Sequence, residues 1–188
     1  MREISQHILD LVQNSIEAGG TQVTLEIKED RQIKDTFLIR VTDNGRGMDE
    51  ETCTKVLDPF MTTRITRRVG LGLPLLHMTT RSSGGYLKIL STLGSGTVVE
   101  ALYQYSHWDR PPLGNIVETI KFIIVANPEI DFIYQHTVDQ AVFSITTKEI
   151  IEILGDISLT HPEVLLWLHE YLTFHVMNLY GGASDENN

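Results

Sequence analysis

The order of hydrophobic periodicities over the first hundred residues constrains the fold most. Residues 4–18 carry apolar side chains at helical spacing, and Gly19 and Gly20 follow as a helix terminator. Residues 21–28 and 36–42 alternate as strands do, with a polar hairpin connection over 29–35. A short helix over 49–57, a longer one over 71–82, and strands over 86–91 and 97–103 complete the series. This order predicts an α+β fold, a two-layer sandwich with helices on one face of an antiparallel or mixed sheet.

The composition changes at residues 106–112, a segment that contains Trp108, Asp109, Arg110 and two prolines. We therefore expect one domain over residues 1–104 and a small C-terminal α/β domain over 105–188. In the second part the patterns predict a helix over 115–126, a hairpin with strands over 130–135 and 141–146, and helices over 148–154 and 162–180.

Charge and cysteine content exclude several classes of function. The formal net charge of -10 disfavours broad contact with nucleic acid, since that affinity comes mainly from Lys and Arg. Cys53 is the only cysteine, so the sequence allows neither an internal disulfide nor a cysteine-based zinc site. The N-terminus lacks the apolar core of a signal peptide, and no apolar run reaches the roughly 20 residues that span a bilayer. We expect a cytoplasmic protein.

The opening helix carries the first pattern that indicates chemistry. Asp10 and Asn14 are four residues apart, so both project from one face. An amide oxygen is a suitable ligand for Mg²⁺, and a carboxylate one turn away can orient or deprotonate a water molecule. Taken alone, the same spacing is also typical of a solvated polar face.

Three glycine-containing patterns follow. Asp43-Asn44-Gly45-Arg46-Gly47-Met48 comes directly after a strand, where a carboxylate can accept a hydrogen bond from the exocyclic amine of adenine and glycines allow close approach to a flat ring. Gly70-Leu71-Gly72-Leu73 precedes a helix, whose free N–H groups suit phosphates. Gly94-Ser95-Gly96-Thr97 lies between two strands. Each alone could be an ordinary turn, and neither a P-loop nor a Rossmann glycine pattern occurs.

In their joint order and spacing the four patterns resemble the N, G1, G2 and G3 boxes of the GHKL (Bergerat-fold) superfamily, which includes gyrase B subunits, MutL-type repair proteins, large heat-shock chaperones and sensor histidine kinases. Residues 58–64 add to this, since they resemble the F-box before the ATP lid of histidine kinases. The resemblance covers about residues 4–103. It implies an ATP-binding domain that also requires magnesium.

The resemblance also implies roles for individual residues. Asn14 would coordinate Mg²⁺, and Asp43 would bind the adenine amine. The remaining nucleotide-binding positions would be Gly45, Gly47, Met48, Thr62, Thr63, Arg64, Gly70, Leu71, Gly72, Leu73 and Thr97. Arg67 and Arg68 either help to neutralise phosphate charge or lie in an exposed basic loop.

The kind of activity is less constrained than the ligand. ATP-hydrolysing relatives have a glutamate where this chain has Asp10, which is one methylene shorter, and a misplacement of about 1 Å can cost on the order of 100-fold in rate. The chain begins a few residues before the N box, so we do not expect autophosphorylation in the usual manner. Residues 116–156 loosely resemble the opening of a MutL-type transducer domain, but neither Lys121 nor Lys148 matches the lysine that such a domain supplies.

These observations predict an Mg-ATP-dependent conformational switch that regulates a protein partner, with a lid over about residues 58–69. The alternatives are a slow ATPase that uses Asp10 as its base, a protein kinase that acts on a separate substrate, and a fold that has lost nucleotide. We expect ATP, Mg²⁺ and a protein partner as ligands, leave a homodimer open, and expect no membrane or nucleic acid.

Overall fold

The computed structural model describes residues 2–57 and 72–181. Within these ranges the elements follow the predicted order. In chain order they are α1 (Ile4–Glu17), β1 (Gln22–Asp30), β2 (Thr36–Asp43), α2 (Glu50–Lys55), α3 (Gly72–Ser82), β3 (Tyr86–Thr92), β4 (Gly96–Gln104), α4 (Ile116–Ala126), β5 (Asp131–Val138), β6 (Ala141–Thr146), α5 (Thr147–Leu154) and α6 (Pro162–Leu179).

The six strands form one mixed sheet in the order β3-β4-β2-β1-β5-β6. All neighbours are antiparallel except β1 and β5, which are parallel. The helices α1, α3, α4 and α6 cover one face, so the predicted α+β sandwich is confirmed. Among the described residues, no helix is both long and apolar enough to cross a membrane.

The alternation of side chains along the central strands explains this one-sided packing. On β1, Val23, Leu25 and Ile27 are buried beneath the helices, while Glu26 between them points to the open face. On that open face Arg40 of β2 binds Glu26 at 2.9 Å and Glu100 of β4 at 2.6 Å. The strands therefore bury an apolar face and leave a charged one, as one-sided sheets do.

β1 and β5 extend furthest past their predicted ends, and both extensions have the same cause. Glu29 lies in β1 and not in the predicted hairpin connection, and β5 continues to Val138 rather than ending at residue 135. Glu29 and His136 are both buried, and His136 Nε2 lies 2.9 Å from Glu29 Oε1. Each polar side chain satisfies the other, so the strands continue where local polarity predicts a turn.

The segment after residue 104 extends the same sheet. β5 lies beside β1 in parallel register, and the Asp131 N–H donates to the Thr21 carbonyl at 2.9 Å. Helix α4 packs against α1 and α6. A boundary at residue 104 stays a prediction, since strands on both sides of it contribute to one sheet.

One end of the sheet gathers the residues with predicted chemistry. The C-terminal end of β2, the N-terminal ends of β1 and β4 and the end of α1 meet there, because β2 is antiparallel to both of its neighbours. Asp43 is opposite Val23 on one side and Thr97 on the other. This end holds the candidate site.

Candidate nucleotide-binding site

The centre of the site is the carboxylate of Asp43, the last residue of β2, which faces the helical layer and is 9% exposed. Its Oδ1 accepts hydrogen bonds from the backbone N–H of Gly45 at 2.9 Å and of Thr97 at 3.2 Å. Its Oδ2 accepts from Ser15 Oγ at 2.8 Å. These three donors come from α1, β4 and the loop after β2, and they hold the carboxylate in one orientation.

Glycines surround this carboxylate because the chain approaches it closely. A Cβ on Gly45 would lie 2.9 Å from the Ala18 carbonyl oxygen and 3.0 Å from Asp43 Oδ1. At Gly96, where φ is +98°, a Cβ would lie 2.0 Å from the Asp43 carbonyl oxygen. Gly45 and Gly96 therefore allow the loop after β2 and the start of β4 to pack directly against Asp43.

Gly47 and Met48 complete the turn after Asp43. At Gly47, φ is +65° and a Cβ would lie 2.1 Å from the Thr92 carbonyl oxygen. The Met48 N–H donates to Ser91 Oγ at 2.8 Å, and Ser91 Oγ is also 2.8 Å from Thr97 Oγ1. The turn is thereby joined to the β3–β4 hairpin, and Met48 and Thr97 are brought to the same region as Asp43.

Helix α1 links the Asp43 region to the second predicted pair. Asn14 Nδ2 donates to Asp10 Oδ2 at 3.2 Å, so the two side chains lie on one face, as their spacing predicts. Because the amide nitrogen faces Asp10, the amide oxygen is the atom of Asn14 that could ligate a cation. Ser15 and Asp10 are separated by about 7.5 Å along the helix axis, at 1.5 Å per residue.

The start of α3 lies against Asp10. A Cβ on Gly72, the first residue of α3, would lie 1.7 Å from Asp10 Oδ2, so a larger residue there would require the Asp10 side chain to move. Leu73 is partly buried against the core. The N-terminus of α3, where N–H groups could receive phosphate, thus adjoins the Asp10–Asn14 pair.

Farther along α3, Thr79 Oγ1 lies 3.3 Å from Tyr103 OH, and burial raises the pKa of Tyr103 to about 12.

Five of the predicted nucleotide-binding residues, Thr62, Thr63, Arg64, Gly70 and Leu71, lie outside the described residues, as do Arg67 and Arg68. The described candidates, by contrast, are brought together at one end of the sheet. The lysines considered above bind carboxylates: Lys121 Nζ is 2.7 Å from Glu118, and Lys148 Nζ is 2.8 Å from Asp131.

Sequence reasoning did not assign a role to Ser15 or Ser91. For Ser15 a signal was present, because it falls on the apolar arc of α1 with Ile8, Leu11 and Val12. A serine on a buried arc requires a hydrogen-bond partner, and here the partner is Asp43. Ser91 gave no such signal, since it lies near the end of a strand next to a turn.

His7 is another buried polar residue of helix α1. It is 1% exposed, and neither ring nitrogen has a hydrogen-bond partner among the described residues. Burial lowers its pKa to about 4. The imidazole is therefore neutral at pH 7 and is part of the core, not of the site.

The described residues contain no group of three or more His, Cys, Asp or Glu side chains that could hold a metal ion by themselves. A cation at Asn14 would therefore need most of its ligands from water or from a phosphate. Such partial coordination suits Mg²⁺, which usually retains several waters and binds substrate phosphates.

Comparison with known proteins agrees with this geometry. Residues 2–106 match the model of the family described as histidine kinase-, DNA gyrase B-, and HSP90-like ATPase, which is more than half of the chain. The chain belongs to this family. The family is that of GHKL ATP-binding domains, which supports ATP as the ligand of this site.

Two relatives by sequence and one by structure are representative. The sensor histidine kinase ZraS of Salmonella typhimurium is 32% identical over 95 residues, which are 50% of this chain and 20% of that protein. The DNA mismatch repair protein MutL of Streptococcus sanguinis is 26% identical over 167 residues, 68% of this chain and 25% of that protein. The chain thus spans a quarter or less of these relatives.

One structural match is the Aquifex aeolicus MutL ATPase domain complexed with ADP, with a TM-score of 0.50 and 17% identity, covering 91% of this chain and 70% of that one. At this identity the likeness concerns the fold. Because the match covers most of the chain, it includes residues beyond the 2–106 range of the family model.

Proposed function

We propose that this chain binds Mg-ATP at the Asp43 end of its sheet and acts as an ATP-dependent switch for a protein partner. The observation that carries the nucleotide site is the Asp43 carboxylate, which is oriented by hydrogen bonds from Ser15, Gly45 and Thr97 and against which Gly45 and Gly96 pack closely. Membership of the GHKL family supports ATP as the ligand.

Adenine recognition follows from the chemistry of the carboxylate. Asp43 offers only acceptors, and the exocyclic amine of adenine is a donor. Guanine presents a carbonyl oxygen at the corresponding edge. That oxygen is an acceptor, so it could not form a hydrogen bond with the Asp43 carboxylate. A preference for ATP over GTP is therefore part of the proposal.

The phosphates would extend toward Asn14 and the start of α3. Asn14 would ligate Mg²⁺ through its amide oxygen, and Mg²⁺ would offset the phosphate charge that the carboxylate of Asp10 would otherwise repel. The N–H groups at the start of α3 would bind phosphate directly. Support comes from the position of Gly72, whose α-carbon adjoins Asp10.

Calorimetric titration tests the nucleotide site. ATP and a non-hydrolysable analogue are titrated into the protein with and without Mg²⁺, together with GTP. We expect Mg²⁺-dependent binding of ATP, and we expect Asp43→Asn to weaken it about 100-fold, since one charge-assisted hydrogen bond is lost and its geometry is disturbed. Asp109→Asn, at an exposed loop position, is the matched control and should bind as the unaltered protein does. Equal affinity for ATP and GTP would contradict the role of Asp43.

The switch is proposed to act through residues 58–69, the expected lid, which lie outside the described residues. Ligand-dependent ordering of a loop is an established way to bias a two-state element. Arg64, Arg67 and Arg68 supply trypsin sites in this segment. Saturating Mg-ATP is expected to slow cleavage there at least tenfold, and an unchanged cleavage rate would remove the switch from the proposal.

A second candidate function is slow ATP hydrolysis or phosphotransfer to a separate substrate. The contact of Asp10 with Asn14 and its position beside the start of α3 favour it, because they would put a carboxylate near the phosphates. Asp10→Asn distinguishes hydrolysis from binding alone. A base should affect turnover by 100-fold or more while affinity changes little. No turnover in either protein would leave binding as the function.

A further inference from the structure

The solvent-facing side of α6 is more apolar than the surface of a helix ordinarily is. Its outward positions follow helical spacing, and three of them are apolar: Leu166 is 59% exposed, Phe174 59% and Met177 60%. The two acidic residues Glu163 and Glu170 interrupt them. We call these five residues the α6 stripe.

The opposite side of α6 is already used by the core. Val164, Leu168, Leu172, Val176 and Leu179 are buried against the sheet and α4. A helix with one buried face normally has charged and polar residues on its other face. The α6 stripe departs from this pattern, since three of its five outward positions are apolar.

Helix α4 extends the apolar surface on one side. Glu118 Oε1 lies 2.7 Å from His169 Nδ1, which joins α4 to α6. Phe122, one turn after Glu118 and 56% exposed, projects from the same side of α4. The two helices run antiparallel, since α4 leads toward the start of β5 whereas α6 ends beside the end of β1 at Glu29. Phe122 is therefore level with the turn of α6 that contains Leu166.

The negative charge of the α6 stripe argues against a second copy of this chain as the molecule that covers it. A second copy that paired with the stripe through a two-fold axis would align α6 with α6 in opposite directions, with Leu166 opposite Phe174 and Glu170 opposite Glu170. Two like charges at the centre of an apolar contact cost free energy. The whole chain also carries a formal net charge of -10, which disfavours self-association further.

We propose that the α6 stripe, together with Phe122, docks an amphipathic helix of a protein partner whose apolar residues are flanked by Lys or Arg. The stripe from Leu166 to Met177 rises about 16 Å, the length of three helical turns. Apolar anchors on a partner helix would pack on Leu166, Phe174 and Met177, and its cations would pair with Glu163 and Glu170. This is the helix-on-surface mode of peptide recognition.

This proposal rests on the proposed switch, because it describes the chemistry of the partner that the switch would regulate. Docking of that partner on the α6 stripe does not itself require nucleotide. The test is therefore run without ATP, so that its failure is distinct from failure of the nucleotide site. The probe is a labelled synthetic 18-residue helical peptide with leucine at i, i+4, i+7 and i+11 and lysine beside these positions. Binding is followed by fluorescence anisotropy at physiological salt.

Phe174→Ser and Glu170→Lys are each expected to weaken binding of the probe at least tenfold. Matched controls are Ile33→Ser, at an 87% exposed position in the β1–β2 connection, and Glu129→Lys, at an exposed position before β5, and both should bind as the unaltered protein does. All four positions are exposed, so the variants should fold, which circular dichroism checks.

Several results would overturn the proposal. These are absence of binding, equal binding of a peptide with glutamate in place of lysine, and equal binding of a peptide with the same residues in scrambled order. Sedimentation that shows a dimer abolished by Phe174→Ser would assign the stripe to a second copy. Binding to phosphatidylcholine vesicles that Phe174→Ser abolishes would assign it to a lipid surface.

Discussion

Two buried carboxylates lie on the helix-covered face of the sheet, at opposite ends of the β1–β2 hairpin. Asp43 is the last residue of β2 and is 9% exposed, and Glu29 is near the end of β1 and is 4% exposed. Asp43 is held by two backbone N–H groups and a serine hydroxyl, among glycines. Glu29 is held by His136 and by the hydroxyl of Tyr180, both of which have large side chains.

The difference lies in what surrounds each group. At Glu29, His136 Nδ1 also lies 2.8 Å from Tyr134 OH, and burial together with the bond to Glu29 raises the pKa of Tyr180. The partners of Glu29 enclose it. The donors to Asp43 are two backbone N–H groups and the small side chain of Ser15, so no large side chain is needed to orient this carboxylate. We infer that Asp43 serves binding and Glu29 serves stability, and variants can separate the two roles.

The largest effect on stability is expected from Glu29→Ala. The change leaves the buried His136 Nε2 without its acceptor, at a cost of about 1–3 kcal/mol, and also removes the acceptor of the part-buried Tyr180 hydroxyl. We expect the free energy of unfolding to fall by about 3 kcal/mol in urea denaturation. The affinity of the folded protein for ATP should not change. Glu26→Ala, on the open face of the same strand, is the control and should cost less than about 1 kcal/mol.

The next effect tests the close packing of Gly45 against Asp43. In Gly45→Ala the new Cβ would press on the Ala18 carbonyl oxygen and on Asp43 Oδ1, which must then move. We expect ATP affinity to fall about tenfold or more, measured by calorimetry, with a smaller change in stability. Gly94→Asn is the control, because no atom lies within 4 Å of an added Cβ there and asparagine tolerates its positive φ. Equal ATP affinities in the two variants would show that close packing of Gly45 against Asp43 is not required for binding.

These two variants also show how far the sequence could predict the molecule. The Asp43 region was predictable because its parts are local: a strand, an aspartate and glycines within a few residues. The helix-to-strand order and the α+β class were predictable for the same reason, since periodicity is a local signal. Glu29 was misassigned to a turn because its partners His136 and Tyr180 follow it by 107 and 151 residues. No local sequence pattern predicts such a long-range contact.

A third effect concerns His7, a buried residue for which the described part of the chain supplies no hydrogen-bond partner. The pKa of His7 is lowered by burial to about 4 in the folded protein and is about 6.5 when unfolded. Between these values the unfolded state binds more protons, so stability should fall as the pH decreases from about 6.5 toward 4, by at most about 1.4 kcal/mol per pH unit. Thermal unfolding at pH 7 and pH 5 measures this. His7→Leu should reduce the slope, whereas His161→Leu, at an exposed position, should not.

The smallest effect separates orientation of Asp43 from its charge. Ser15→Ala removes the only side-chain donor that the described residues give to Asp43 and retains both backbone donors. The Ser15 hydroxyl orients the Asp43 carboxylate and does not itself contact ATP in the proposed site, so its loss should cost about 1 kcal/mol of binding free energy. This is about fivefold in ATP affinity, against about 100-fold for Asp43→Asn. Ser5→Ala, at another buried serine of α1, is the control and should leave affinity unchanged. A Ser15 effect as large as that of Asp43→Asn would mean that orientation, more than charge, determines recognition. No effect at all would mean that the two backbone donors alone position the Asp43 carboxylate. Asp43 would then differ from Glu29, whose partners His136 and Tyr180 are side chains distant in sequence.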